Sequence, residues 1–93
     1  MVETSKLTVV DCWAVWCSPC RVMDASLASV REKYQQVEFV KVNVGENTEF
    51  ANKHNIVGIP TLLFMKDRKE VGRIVGAVTS YIIEAEIQNY LGD

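Results

Sequence analysis

Residues 7–14, LTVVDCWA, constrain the fold most, because they are apolar apart from Thr8 and Asp11. An apolar run of strand length without alternation reads as a strand buried on both faces. Such a strand needs cover on two sides, which points to an α/β architecture. The chain has 93 residues, enough for one small domain over 1–93 and not for two. No stretch approaches the roughly 20 apolar residues of a membrane helix. The opening MVETSKL has no apolar core of signal-peptide length and carries Glu3. A soluble, cytoplasmic protein is expected, with no membrane partner, and as a monomer. The net charge is −2 and the basic residues are scattered, so nothing in the charge pattern suits nucleic acid.

The rest of the chain reads as alternating elements. After Cys17-Ser18-Pro19-Cys20, apolar residues at helical spacing (Val22/Met23, Ser26/Leu27, Val30 and Tyr34) predict a helix to about Tyr34. Pro19 suits its first turn, where a missing N–H costs nothing. Residues 37–44, VEFVKVNV, predict a second strand. GENTEFANKHN reads as a turn and a short helix through Phe50 and Ala51. TLLFM is a third strand, DRK a polar turn, and EVGRIVG a fourth strand forming a hairpin with the third. Thr79 or Ser80 can cap a last helix with Ile83, Ile87, Tyr90 and Leu91 on its inner face. The expected order is β-α-β-α-β-β-α, with a parallel start, an antiparallel finish and helices on both faces.

Cys17 and Cys20 stand where the first strand gives way to the first helix. Two cysteines at this spacing are either a dithiol/disulfide couple or half a metal site. A bridge between them would close a very short loop and take little entropy from the unfolded chain. If it forms, its making and breaking is its use. A thiolate at a helix N-terminus faces unpaired N–H groups and the positive end of the helix dipole. Cys17, at the helix start, should be the reactive sulfur, and Cys20, one turn in, the shielded one that resolves. The metal alternative would need Cys12, Cys17, Cys20 and the lone His54 as ligands. Cys12 lies in mid-strand and no second paired motif exists, so a core role for Cys12 and a solvated His54 are the simpler readings.

Asp11 interrupts the apolar strand just ahead of the cysteines. Either it faces solvent at a strand end, or it is buried among Val9, Val10, Cys12 and Trp13. A buried carboxylate has a raised pKa and can exchange a proton near pH 7. It could then accept the Cys20 proton, directly or through a water. Lys41, on the neighbouring strand, is either its charge partner or a plain surface lysine.

The stretch VVDCWAVWCSPCR resembles the active-site signature of thioredoxins, D-F-W-A-x-W-C-G-P-C-K. The resemblance continues through FVKVNV and ENTEFANKHNIVGIPT to Gly76, in one order over nearly the whole chain. It implies a thioredoxin-like fold with a four-stranded mixed sheet flanked by helices, and thiol–disulfide oxidoreductase activity. By position it implies that Cys17 is the nucleophile, Cys20 the resolving thiol, Asp11 the buried proton acceptor and Lys41 the lysine near it. Pro60 matches the family's cis-proline, with the Ile59 backbone pairing to an extended substrate. Trp13 and Trp16 resemble the active-site tryptophans, and Trp16, Val57, Gly58, Ile59, Gly76 and Ala77 would form an apolar rim for substrate. The implied partners are protein disulfide substrates and a thioredoxin reductase, with no bound cofactor and no metal.

Several positions depart from the family. Cys12 replaces a Phe and adds a thiol open to oxidation. Ser18 replaces a Gly beside the sulfurs. Ala25 stands where a kinking proline is common, so the first helix should be straighter. Asp67-Arg68-Lys69 replaces a hairpin glycine. Only about six residues precede Leu7, so a minimal sheet with an edge protected in some other way is expected. The expected function is reduction of protein disulfides. The alternatives are a disulfide isomerase or oxidase, and a non-catalytic peptide-binding module using the rim around Trp16 and Ile59.

Overall fold

The structure, a computed structural model, describes residues 6–91. Seven elements follow in order: β1 (Thr8–Trp13), α1 (Ser18–Lys33), β2 (Glu38–Asn43), α2 (Thr48–Lys53), β3 (Thr61–Lys66), β4 (Lys69–Val75) and α3 (Ser80–Leu91). The sheet has four strands in the order β2-β1-β3-β4. β1 runs parallel to β2 and antiparallel to β3, and β3 runs antiparallel to β4. This is the β-α-β-α-β-β-α arrangement expected from the apolar pattern.

β1 is central, and alternate side chains serve opposite faces of the sheet. Leu7 and Val9 join Met23, Leu27 and Val30 of α1, Phe64, and Ile83 and Ile87 of α3 in the larger core. Val10, Cys12 and Leu63 form a second cluster with Val42, Phe50 and Ile56. Both faces of β1 are therefore covered, and its run of apolar residues follows from that.

α1 starts where its sequence allows. Cys17 is the N-cap in extended backbone, and Pro19 sits in the first turn. The helix runs unbroken for 16 residues, with Arg31 and Lys33 in its last turn, where cations favour the unpaired carbonyls. The stripe Met23, Leu27, Val30 and Tyr34 is buried. Val22 is exposed instead, and half-buried Ser26 donates to the Val78 carbonyl at 2.9 Å. Of each expected pair, the position nearer the centre of the 3.6-residue stripe carries the core contact.

β4 begins one residue earlier than the pattern indicated, at Lys69. The loop is only Asp67 and Arg68, with φ of 53° and 66°. Two residues at positive φ are the requirement of a tight hairpin turn whose twist matches the strands. Beyond it, Phe64 faces Gly72 and Met65 faces Glu70, with Val71 bulged out between. Gly72 leaves room for Tyr90, whose hydroxyl and ring would collide with a Cβ there. The Tyr90 ring lies 5.5 Å from that of Phe64, so α3 is seated on the hairpin at this point.

Arg73 fixes the other face of the hairpin. Its Nε and Nη2 donate to the Glu70 carboxylate at 2.6 and 2.8 Å. Nη2 also donates to the His54 carbonyl at 2.8 Å, and Nη1 to the Asn55 carbonyl at 3.2 Å. These bonds satisfy carbonyls at the C-terminal end of α2 and hold the start of the segment leading to Pro60.

Candidate active site

The site forms where β1 ends and α1 begins. Cys17 and Cys20 are joined by a disulfide, with Cα atoms 5.3 Å apart. Ala14, Cys17 and Cys20 make a small buried cluster against which Trp13 and Ile59 pack. The two cysteines are 4% and 6% exposed, so burial does not separate them as the sequence suggested. Hydrogen bonding does: the Cys20 backbone N–H donates to Cys17 Sγ at 3.2 Å. The Cys17 sulfur thus occupies the acceptor position of a helix N-cap, and a negative charge there gains both that bond and the helix field.

Asp11 is on the face of β1 opposite Cys12, 4% exposed. Its Oδ1 is buried with no hydrogen-bond partner. Burial pushes its carboxyl from 3.8 up to about 6, opposed by the Lys41 charge, reinforced by Asp24 and opposed again by Arg31. Of the two sequence readings of Asp11, the structure gives the buried one. Asp11 and Cys20 line one cavity of about 210 Å³, together with Trp13, Arg21, Asp24 and Lys41. A space of that size admits water between carboxyl and sulfur.

Lys41 is the register partner of Asp11 across the β1–β2 pair. Its Nζ bonds Asp24 Oδ1 at 3.3 Å and lies 4.9 Å from the centre of the Trp13 ring. It therefore acts on Asp11 through its charge at the cavity mouth, while its direct partner is Asp24. Trp13 borders this cavity.

The second surface lies beyond the disulfide. Trp16, 73% exposed, borders a groove of about 410 Å³ with Val57, Gly58 and Ile59. Val44, Gly45, Ala51 and Ile56 complete its walls. The Ile59–Pro60 bond is cis. Gly76, at φ 97°, donates its N–H to the Pro60 carbonyl at 2.8 Å. That left-handed backbone suits glycine. Gly76 and the exposed Ala77 stand outside the groove's lining, so the rim divides into a groove wall and a support for Pro60.

The four-ligand metal alternative comes apart in space. Cys12 packs on the α2 side with Val10 and Leu63, away from the cysteine pair. His54 is half-buried, its ring 4.3 Å from that of Phe50, a correction to the solvated side chain expected from its polar surroundings. Among the described residues, no group of three or more His, Cys, Asp or Glu side chains could hold a metal ion. Cys12 is fully buried, and burial pushes its thiol up to about 11. It is a shielded core thiol, not the oxidisable one its chemistry suggested.

Sequence reasoning passed over Arg21 and Asp24, one and four residues after Cys20, because charged residues there look like any solvated helix surface. A periodicity argument could have flagged Asp24, since it lies one helical turn after Cys20 on the same side. Val44, Gly45, Ala51 and Ile56 carried no signal, because the groove is assembled from three separate segments.

A redox-active cysteine pair at a helix N-terminus, above a buried carboxyl and beside an apolar groove, defines a thiol–disulfide oxidoreductase. The comparisons agree. The thioredoxin family model matches residues 1–89. Thioredoxin H2 of Arabidopsis thaliana is 40% identical over 75 residues, covering 81% of this chain and 56% of that protein. Thioredoxin-1 of Saccharomyces cerevisiae is 38% identical over 88 residues, covering 95% and 85%. Among solved structures, Fasciola hepatica thioredoxin superposes with a TM-score of 0.85 at 38% identity, covering 91% of this chain and 81% of that one. The chain belongs to the thioredoxin family, and its Cys17–Cys20 pair gives it the protein-disulfide reductase type of site. It spans a little over half the length of the Arabidopsis relative. The isomerase, oxidase and non-catalytic readings are not favoured by these relatives. Among the described residues, no helix is long and apolar enough to cross a membrane.

Proposed function

We propose that the protein, as one domain, passes two electrons from its dithiol to disulfides of other proteins. The observation that carries this reading is the Cys20 N–H donated to Cys17 Sγ at the start of α1. In the reduced protein that bond and the helix field favour the Cys17 thiolate. The thiolate attacks one sulfur of the substrate disulfide, forms a mixed disulfide and expels the other substrate sulfur as a thiolate. Cys20 then gives its proton to the Asp11 carboxylate, directly or through water in the shared cavity. The new thiolate attacks Cys17 Sγ, closes the Cys17–Cys20 disulfide and releases the second substrate thiolate. Lys41 and Trp13 border that proton path. The substrate lies extended across Ile59 and Pro60, with an apolar side chain against Trp16, Val57 and Gly58, and Gly76 and Ala77 flank it on the far side.

A thioredoxin reductase is the partner that returns two electrons and two protons to the pair. The chain acts as a monomer in the cytoplasm. Replacing Cys20→Ser tests the division of labour. Mixed with a protein disulfide, the variant should accumulate a covalent adduct at Cys17, seen by non-reducing electrophoresis and mass spectrometry. Absence of the adduct, or its formation on Cys12, would overturn the assignment.

A further inference from the structure

The cavity beneath the disulfide holds two carboxylates and one ammonium. Lys41 is opposite Asp11 in the strand register, close enough along the backbone for the pair to meet. Its ammonium is engaged elsewhere, 3.3 Å from Asp24 Oδ1 and over the Trp13 ring. Asp11 Oδ1, meanwhile, is buried without a hydrogen-bond partner. Asp24 is placed to do this because it lies four residues after Cys20 on α1, over the cavity mouth.

We propose that Asp24 is a positioning residue: by holding the Lys41 ammonium at the cavity mouth, it keeps that cation from binding Asp11 and so preserves the proton affinity of the buried carboxyl. The proposal deepens the function above, since it matters for turnover only if Asp11 accepts the Cys20 proton. The charged and titratable groups around Asp11 are few. β2 contributes Lys41. α1 contributes Cys20, Arg21, Asp24 and Arg31, and the turn before it contributes Cys17. β1 itself contributes Cys12, whose thiol stays protonated. β3 places apolar Leu62 opposite Asp11. Of these, Asp24 and Lys41 are bonded to each other, so removing Asp24 changes two influences together. Its own negative charge is lost, and the ammonium is free to turn inward. Both favour an ionised Asp11.

The test is an NMR titration of the Asp11 side-chain carboxyl carbon in the oxidised protein. Asp24→Asn should move the Asp11 midpoint to lower pH by about half to one unit, and Asp24→Glu should restore most of the difference. In a Lys41→Met background the same Asp24→Asn change should shift the midpoint by less than half as much, because no ammonium remains to be released. An unmoved or raised midpoint in Asp24→Asn overturns the proposal. A shift of undiminished size in the Lys41→Met background also overturns it, since Asp24 would then act through its own charge alone. The pH profile of mixed-disulfide resolution by the same variants separates the two claims. A carboxyl midpoint that moves while the rate profile stays fixed supports the electrostatic role of Asp24 and refutes proton transfer through Asp11.

Discussion

At the scale of single residues, Asp11 ties the chemistry to stability. Burial raises its carboxyl from 3.8 to about 6, so the folded protein holds this proton more tightly than the unfolded chain. Between those two values the native state keeps a proton that the unfolded state has released. Stability therefore falls as pH rises through that window, and the contribution is intact only below it. At about 1.4 kcal/mol per unit, the penalty above pH 6 is on the order of 3 kcal/mol. Asp11→Asn should stabilise the oxidised protein by about 2 kcal/mol at pH 8, with the gain vanishing towards pH 4. Urea unfolding of both proteins across that range measures it, and a gain independent of pH would contradict the burial argument. The same substitution should slow resolution of the mixed disulfide. The cysteine pair was visible in the sequence from its spacing at a strand–helix junction, and the carboxylate because it interrupts an apolar run. The Lys41–Asp24 pair was not, since two charged residues on neighbouring elements look like ordinary solvated surface until the register is known.

At the scale of elements, the hairpin and α3 depend on close approaches that hydrophobic periodicity does not encode. All seven elements were legible from apolar patterns and the turn signals between them, α2 with the weakest pattern, since none of its residues is buried. The Val71 bulge and the seat of Tyr90 over Gly72 were not, as they arise from contact between segments far apart in the chain. Gly72→Ala should cost about 1–3 kcal/mol through overpacking, and Tyr90→Phe in that background should recover part of it by removing the hydroxyl. Thermal melts of the two variants and the double variant decide this, and full additivity would contradict the contact. In the turn, Arg68 at φ 66° occupies a conformation that costs a non-glycine residue about 1 kcal/mol. Arg68→Gly should raise stability by about 0.5–1 kcal/mol after the entropy of the more flexible unfolded chain is subtracted. Denaturant midpoints would show it.

At the scale of the whole molecule, among the described residues β2 and β4 are the outer strands of the sheet. On β2 the exposed side chains include charged ones. Glu38 and Lys41 are exposed there, and Arg31 reaches from α1 over the Phe39 ring at 5.7 Å, in keeping with how edge strands resist pairing with other chains. β1 and β3 lie between them, with buried residues along most of their length. Amide hydrogen exchange should therefore be slowest in β1 and β3 and faster in β2 and β4. Protection of β2 equal to that of β1 would mean that its outer edge is covered in solution.

The sharpest measurement is the pH dependence of iodoacetamide alkylation of the reduced protein, with the modified cysteine identified by mass spectrometry. Cys17 should react alone and with a midpoint clearly below the ordinary thiol value of about 8.5, while Cys20 and Cys12 remain unmodified. Fast labelling of Cys20, or a Cys17 midpoint at or above that of a free cysteine, would contradict the assignment of attack to Cys17.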